Sequence, residues 1–247
     1  MRRFVLSVAC LLVLFGMRAY GQQPLQAQEP QWSVAVAAVG SDKITIGQSE
    51  LLLGKVTGYF ETYKMVTVRG QFQSGLRSEI TNDAVLRRAG ESAAAGAVVL
   101  QFQPARKGAS AGYAYLWVST IAGPPRRHVQ YIANVAGEVF EEAKQIFAYI
   151  VRAMSVDKYY LVELHVFARP RGSFFTVGNS KPDQADLDGR QPDEGFKLWS
   201  GIRPAGVTQV RVYRLPEYRD YIQQIRLPAS DSEPFRIIVE AQLMRSP

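Results

Sequence analysis

Apolar and polar positions change period several times along the chain, and each change marks a different element. Trp32 to Gly40, WSVAVAAVG, is apolar without alternation, the pattern of a strand covered on both faces and stopped by glycine. Thr45-Ile46-Gly47-Gln48 reads as a capping box, and Leu52, Val56, Tyr59, Phe60 and Tyr63 then recur at helical spacing, which predicts a first helix. Lys64 to Gly70 alternates and predicts a second strand. Thr81 or Asn82 caps a second predicted helix, DAVLRRAGESAAAG, ended by Gly96. Its face of Ala84, Ala89 and Ala93 is small enough to lie close to a sheet.

The period then returns to 2. Ala97–Gln103, Gly112–Ile121 and His128–Val135 are three predicted strands with short links rich in Gly, Pro, Arg and Lys, so they form hairpins. Val139, Phe140, Ala143, Ile146, Phe147, Ile150, Val151 and Met154 make the cleanest helical stripe in the chain. The polar face of this third helix carries Glu138, Glu141, Glu142 and Lys144, with acids near the N-terminus as the helix dipole prefers. Beyond it come short strands punctuated by Pro and Gly: Tyr159–Pro170, Gly172–Asn179, Gly206–Pro216, Tyr221–Pro228 and Pro234–Leu243. The expected fold class is therefore α+β. A mixed-sheet α/β domain over 32–154, in the order β-α-β-α-β-β-β-α, is followed by a small all-β sandwich over 159–247, with the joint near Ser155–Lys158.

Composition changes the picture at the N-terminus. Arg2 and Arg3 precede an apolar run from Phe4 to Met17, and Ala19-Tyr20-Gly21 offers small residues for cleavage, so residues 1–21 are expected to be a signal peptide. Gln22 to Gln31 is Gln/Pro-rich and reads as a flexible leader. The single cysteine, Cys10, lies inside the apolar run and lacks the small-residue context of a lipidation site. The expected product is a cysteine-free periplasmic protein that is not a lipoprotein and must fold on its core alone. Its formal charge of +7 becomes +4 when Arg2, Arg3 and Arg18 leave, 7 − 3 = 4, and the remaining cations are scattered. That argues against nucleic acid and allows at most a peripheral attraction to membranes or anionic envelope polymers.

Candidate chemistry is sparse. Gly108-Ala109-Ser110-Ala111-Gly112 spells G-x-S-x-G, but an alternating strand, not a helix, follows Ser110, so a hairpin turn is expected in place of a nucleophile elbow. The two histidines, His128 and His165, fall in predicted strands and complete no triad. Two histidines and no mature cysteine give no zinc pattern. Asp183, Asp186 and Asp188 before Gly189 resemble a calcium loop, yet a twelve-residue frame would begin at Gln184 and end at Gly195, leaving Glu194 one place short. A solvated acidic loop is the expectation there. Neither a metal, a cofactor nor a catalytic residue is expected. Trp199, Tyr213, Tyr218 and Tyr221, with Arg169 and Arg171, are the candidate binding residues; Phe174, Phe175, Arg203 and Arg211 lie in the same half.

The first half, through VAVAAVG, MVTVRG, GAVVLQFQ and the closing GEVFEEAKQIFAYIVRAM, resembles the periplasmic fold shared by the TolB amino-terminal domain and the CsgG and LpoB families. Gly96-Ala97-Val98 keeps only part of those families' strand start. The second half resembles a PEGA module in Pro170-Arg171-Gly172-Ser173-Phe174-Phe175 and in the spacing of Tyr218 and Tyr221, with KPDQADLDGRQPDEG as an insertion. The resemblance implies a non-catalytic scaffold or binding protein in secretion, peptidoglycan-synthase activation or flagellar accessory assembly. Its implied partners are other envelope or appendage proteins, in homo- or hetero-oligomers. A peptidoglycan- or polysaccharide-binding module is the alternative, and a hydrolase using Ser110 a third.

Overall fold

The structure is a computed structural model that describes residues 31–64, 66–71, 75–76, 94–214, 217–228 and 233–247, with 67–71 as backbone only. The expected signal peptide, all of the leader but Gln31, and the second predicted helix up to Ala93 lie outside the described residues. Gln31–Pro247 forms one compact unit, and its described residues build two helices and two mixed sheets, an α+β architecture.

The first sheet runs β2 (Val66–Gln71), β1 (Trp32–Gly40), β4 (Gly96–Pro104), β5 (Gly112–Thr120), β6 (Gly123–Ile132), and β3 (Gly75–Leu76) also pairs with β1. β1 is parallel to β2, β3 and β4, whereas β4-β5-β6 is an antiparallel meander. Val34 to Val39 are all at most 2% exposed, which is why β1 reads as an unbroken apolar run: it is covered on both faces. Helices α1 (Lys43–Thr62) and α2 (Phe140–Met154) cover one face. Leu52, Val56 and Phe60 of α1 and Ile146, Phe147 and Ile150 of α2 join Val34, Val36, Leu100, Phe102 and Leu116 in one core. Phe147 is its hub, with the rings of Tyr63, Phe60 and Tyr59 centred 5.2, 5.4 and 5.9 Å away.

The start of α1 corrects the expected cap. Asp42, not Thr45, is the N-cap: Thr45 N donates to Asp42 Oδ1 at 2.9 Å, and Asp42 N donates back to Thr45 Oγ1 at 3.0 Å. Thr45 is thus the reciprocal member of a box that begins three residues earlier. Gln48 is free for another task, and its Nε2 donates to Ala109 O in the β4–β5 turn at 3.2 Å. One turn on, the fully buried Ser49 hydroxyl donates to Val39 O at 2.7 Å and accepts from Phe102 N at 2.8 Å, pinning α1 across β1 and β4.

After α2 the chain turns through Val156 and Asp157, both at positive φ (53° and 60°). A β-branched residue there is strained. The turn is held by Arg126, whose guanidinium forks onto the Asp157 carboxylate at 2.9 and 2.7 Å.

The second sheet has the order β12 (Tyr221–Leu227), β11 (Gly206–Tyr213), β8 (Ser173–Val177), β9 (Asp183–Asp188), β10 (Gly195–Pro204), β7 (Tyr159–Arg169), β13 (Phe235–Gln242). Neighbours are antiparallel except β13, which lies parallel to β7. Both ends of this path feed one core: Val162, Leu164, Val166 and Val239 from one side, Phe175, Val210, Val212 and Ile225 from the other.

Two strands of this sheet lie where the sequence pattern predicts none. The acidic stretch expected to be a solvated loop contains β9, which joins the two halves of the sheet through Ala185, 0% exposed. The stretch from Gly195 to Pro204, where no strand is predicted, pairs with β7 over ten residues. Its alternation is blurred because few of its side chains are fully buried. A charge network joins α2 to the second sheet: Glu163 of β7, 2% exposed, meets Lys144 Nζ of α2 at 2.5 Å and Arg236 Nε of β13 at 2.9 Å, and Arg236 also pairs with Glu141.

Candidate functional site

Two surfaces of the first sheet's half stand out, and a groove between its helices comes first. On α1, Lys55, Tyr59 and Thr62 share one face by their spacing, and Gly58 beside them leaves open space where a side chain would stand. Across from them run Gly137, Glu138, Val139, Phe140 and Ala143 at the start of α2, enclosing a groove of about 390 Å3. Lys55 Nζ is tied to the carbonyls of Val135, at 3.0 Å, and Gly137. Tyr59 Oη donates to Phe140 O at 2.9 Å. Burial raises the Tyr59 phenol above its ordinary value, so it stays a donor at neutral pH. Phe140 itself, although on the apolar stripe predicted for this helix, is 69% exposed at the rim. Glu138 is exposed beside it. The groove presents apolar walls, a fixed donor network beneath them and an acidic lip.

The second surface is the face of the β4-β5-β6 meander opposite the helices. Leu116 of β5 points into the helical core, so its neighbours Tyr115 and Trp117, and Tyr113 with them, point the other way. Tyr113 lies opposite Tyr131 of β6 with ring centroids 5.5 Å apart, Tyr115 opposite Val129, and Trp117 opposite Arg127. Tyr115 and Trp117 stack at 6.4 Å along the strand. Tyr113, Tyr131 and Val129 are 46%, 51% and 52% exposed, on or beside the edge strand of the sheet. Sequence reading used the alternation of Tyr113, Tyr115 and Trp117 to place a strand and missed that Tyr131 and Val129 complete a patch. Only the β5–β6 register brings them together.

The six candidate binding residues do not form one platform. Trp199, Tyr218 and Tyr221 pack against the core of the second sheet, and the Arg203 guanidinium sits 4.7 Å over the Trp199 ring. Tyr213 faces the other way, stacked at 6.1 Å on Phe174 with Arg211 above it at 5.1 Å. Arg169 Nε pairs with Glu194 Oε1 at 3.2 Å. Arg171 is exposed, and its carbonyl accepts from Arg214 at 2.9 Å.

Pairing also accounts for part of the calcium-like stretch. Asp183 meets Lys197 Nζ at 3.3 Å, while Glu194, paired to Arg169, accepts from Arg190 N at 2.8 Å. Among the described residues no group of three or more His, Cys, Asp or Glu side chains is placed to hold a metal ion.

Ser110 lies exposed in the turn between antiparallel β4 and β5. Ala105 N donates to Ala111 O and Ala109 N to Arg106 O, both at 2.9 Å, and Gly108 adopts φ 77°. This is a hairpin with no helix N-terminus behind the serine, so the strand–turn–helix of a nucleophile elbow is not formed. His128 instead stacks on Tyr149 of α2 at 4.5 Å. Burial holds its imidazole below the ordinary value, reinforced by Arg152 and opposed by a Gln130 hydrogen bond. It packs a neutral ring between β6 and α2.

Among the described residues no helix is long and apolar enough to cross a membrane. Compared with protein-family models and with curated proteins, the chain matches none.

Proposed function

We propose that this chain is an exported, non-catalytic periplasmic binding protein that acts as a scaffold in cell-envelope or appendage assembly. Its α1–α2 groove receives a segment of a partner protein. The observation that carries the reading is the groove with Phe140 two-thirds exposed at its rim, a large apolar side chain left at the start of an otherwise well-buried helical stripe. Apolar walls suit an aliphatic or aromatic anchor on the partner, and the acidic lip at Glu138 suits a basic residue beside that anchor. The signal-like N-terminus supports export. The resemblance of the first half to the TolB amino-terminal, CsgG and LpoB fold, and of the second to a PEGA sandwich, supports an accessory role in secretion, peptidoglycan-synthase activation or flagellar assembly.

A photo-crosslinking amino acid placed at Phe140 in living cells tests this. One discrete envelope-protein adduct, lost when Gly58 is changed to Trp to fill the groove, is the expected outcome. No adduct, or the same adducts from a probe at Leu187 on the second sheet, would overturn it.

A further inference from the structure

We infer that the outer face of the β5-β6 hairpin is a binding surface for an acidic polysaccharide, separate from the protein-binding groove. The aromatic side chains set its shape. Tyr113 and Tyr115 follow one another every second residue on β5, with Tyr131 and Val129 widening the patch on β6, while Trp117 beyond them is half-buried against the cluster of Ala35, Ala37, Val39 and Val99. The pyranose ring has an apolar C–H face that lies flat on such rings and hydroxyls that meet donors and acceptors at their edges. Three phenols and the exposed Gln103, which pairs opposite Tyr113, supply those edge groups.

Charge selects among glycans. Residues 94–137 contain four Lys or Arg and no Asp or Glu. Arg126 is taken by Asp157. Arg106 and Lys107 stand exposed in the turn beyond the Tyr113 end, and exposed Arg127 stands opposite Trp117 towards the other end. None of these three cations makes a side-chain ion pair or hydrogen bond among the described residues. Rings with a cation at each end and no acid on β4, β5 or β6 complement a polymer whose negative charges are sparse, as carboxylates on every second sugar are. A single-stranded nucleic acid would stack on the same rings, but it carries a phosphate at each nucleotide and calls for a continuous cationic track along the rings. Here the cations lie only at the two ends.

The test is affinity electrophoresis and calorimetry of the purified protein with hyaluronan oligosaccharide, which carries a carboxylate on every second sugar, neutral cello-oligosaccharide and oligo(dT). Hyaluronan should bind, and weaken with added salt. Tyr113→Ala/Tyr131→Ala and Arg106→Gln/Lys107→Gln/Arg127→Gln should each lower its affinity by roughly tenfold. All five side chains are exposed, so an unchanged circular dichroism spectrum is expected, and a conservative Tyr131→Phe variant should keep most of the binding. Arg226→Gln, an exposed cation on the second sheet, should leave it unchanged. The proposal is overturned by no hyaluronan binding, by equal binding of the neutral glycan, by tighter binding of oligo(dT), or by an Arg226→Gln loss as large as that of the face variants. The Phe140 crosslink is indifferent to each of these results, so this inference and the protein-scaffold reading fail independently.

Discussion

Glu163 offers the most informative perturbation because its carboxylate is buried where α2 meets the second sheet. It is 2% exposed, and it survives as an anion because Lys144 lies 2.5 Å from one oxygen and Arg236 2.9 Å from the other. Burial alone pushes its pKa up, but the hydrogen bonds and charges of those two cations outweigh it, and the net position is below the ordinary carboxylate value. Glu163→Gln keeps the shape and removes the charge that both cations face. Removing one partner of a fully buried pair costs about 3–5 kcal/mol, but the Lys144 and Arg236 side chains are 21% and 48% exposed and regain water. The expected loss is therefore about 2–3 kcal/mol, read as a lower urea midpoint with an unchanged slope and a melting temperature reduced by about 5–10 °C.

The pH dependence of that loss follows from the direction of the shift. A carboxyl with its folded pKa depressed contributes stability above its unfolded value, near 4.3, and loses it as pH falls through the folded value. The gap between wild type and Glu163→Gln should be flat from pH 7 to about 5 and close below about pH 4. A variant within about 0.5 kcal/mol of wild type at pH 7, or a gap that persists unchanged at pH 3, would refute the reasoning.

Phe147→Ala, at a fully buried site ringed by Tyr59, Phe60 and Tyr63, should cost about 3–5 kcal/mol in denaturant titration, because those three rings cannot all collapse into the space. Gly112→Ala should cost about 1–3 kcal/mol, since its Cβ would stand 2.2 Å from Gln103 O and 2.7 Å from Pro104 Cα, backbone atoms of the paired strand. Ser110→Ala, two residues away but exposed, should shift the midpoint by less than about 0.5 kcal/mol, and a fluorophosphonate probe should not label the wild-type serine. Asp42→Ala should cost about 1 kcal/mol through loss of the α1 cap, a loss that Asp42→Asn largely avoids, in thermal melts.

The elements that could be read from the chain are those whose burial is simple. β1 is covered on both faces and α2 on one, so an unbroken apolar run and a 3.6-residue stripe follow directly from solvent exclusion. The GASAG turn was legible for the same reason: alternation on both sides of it already implied strand pairing. Where burial is partial the pattern fades. β9 carries three acids, of which Asp183 meets Lys197 and Asp186 and Asp188 are exposed, and β10 is mostly half-buried, so neither shows a clean period although one of them makes the longest pairing in the second sheet. The capping box slipped because Thr45 satisfies the same sequence rule as donor-side partner or as cap, and only the chain's exit from β1 selects Asp42.

Residue type and spacing thus determined the α+β composition, the principal helices and most strands, because each depends on which side of a local segment meets water. Tertiary structure decided everything that depends on register and docking. It set Tyr131 against Tyr113 and parted Tyr213 from Trp199. It also brought Lys55 to the carbonyls beneath the groove and closed Glu163 between cations 19 residues before it and 73 after it in the chain. Those contacts join positions far apart in sequence, and no local period encodes which of them will meet.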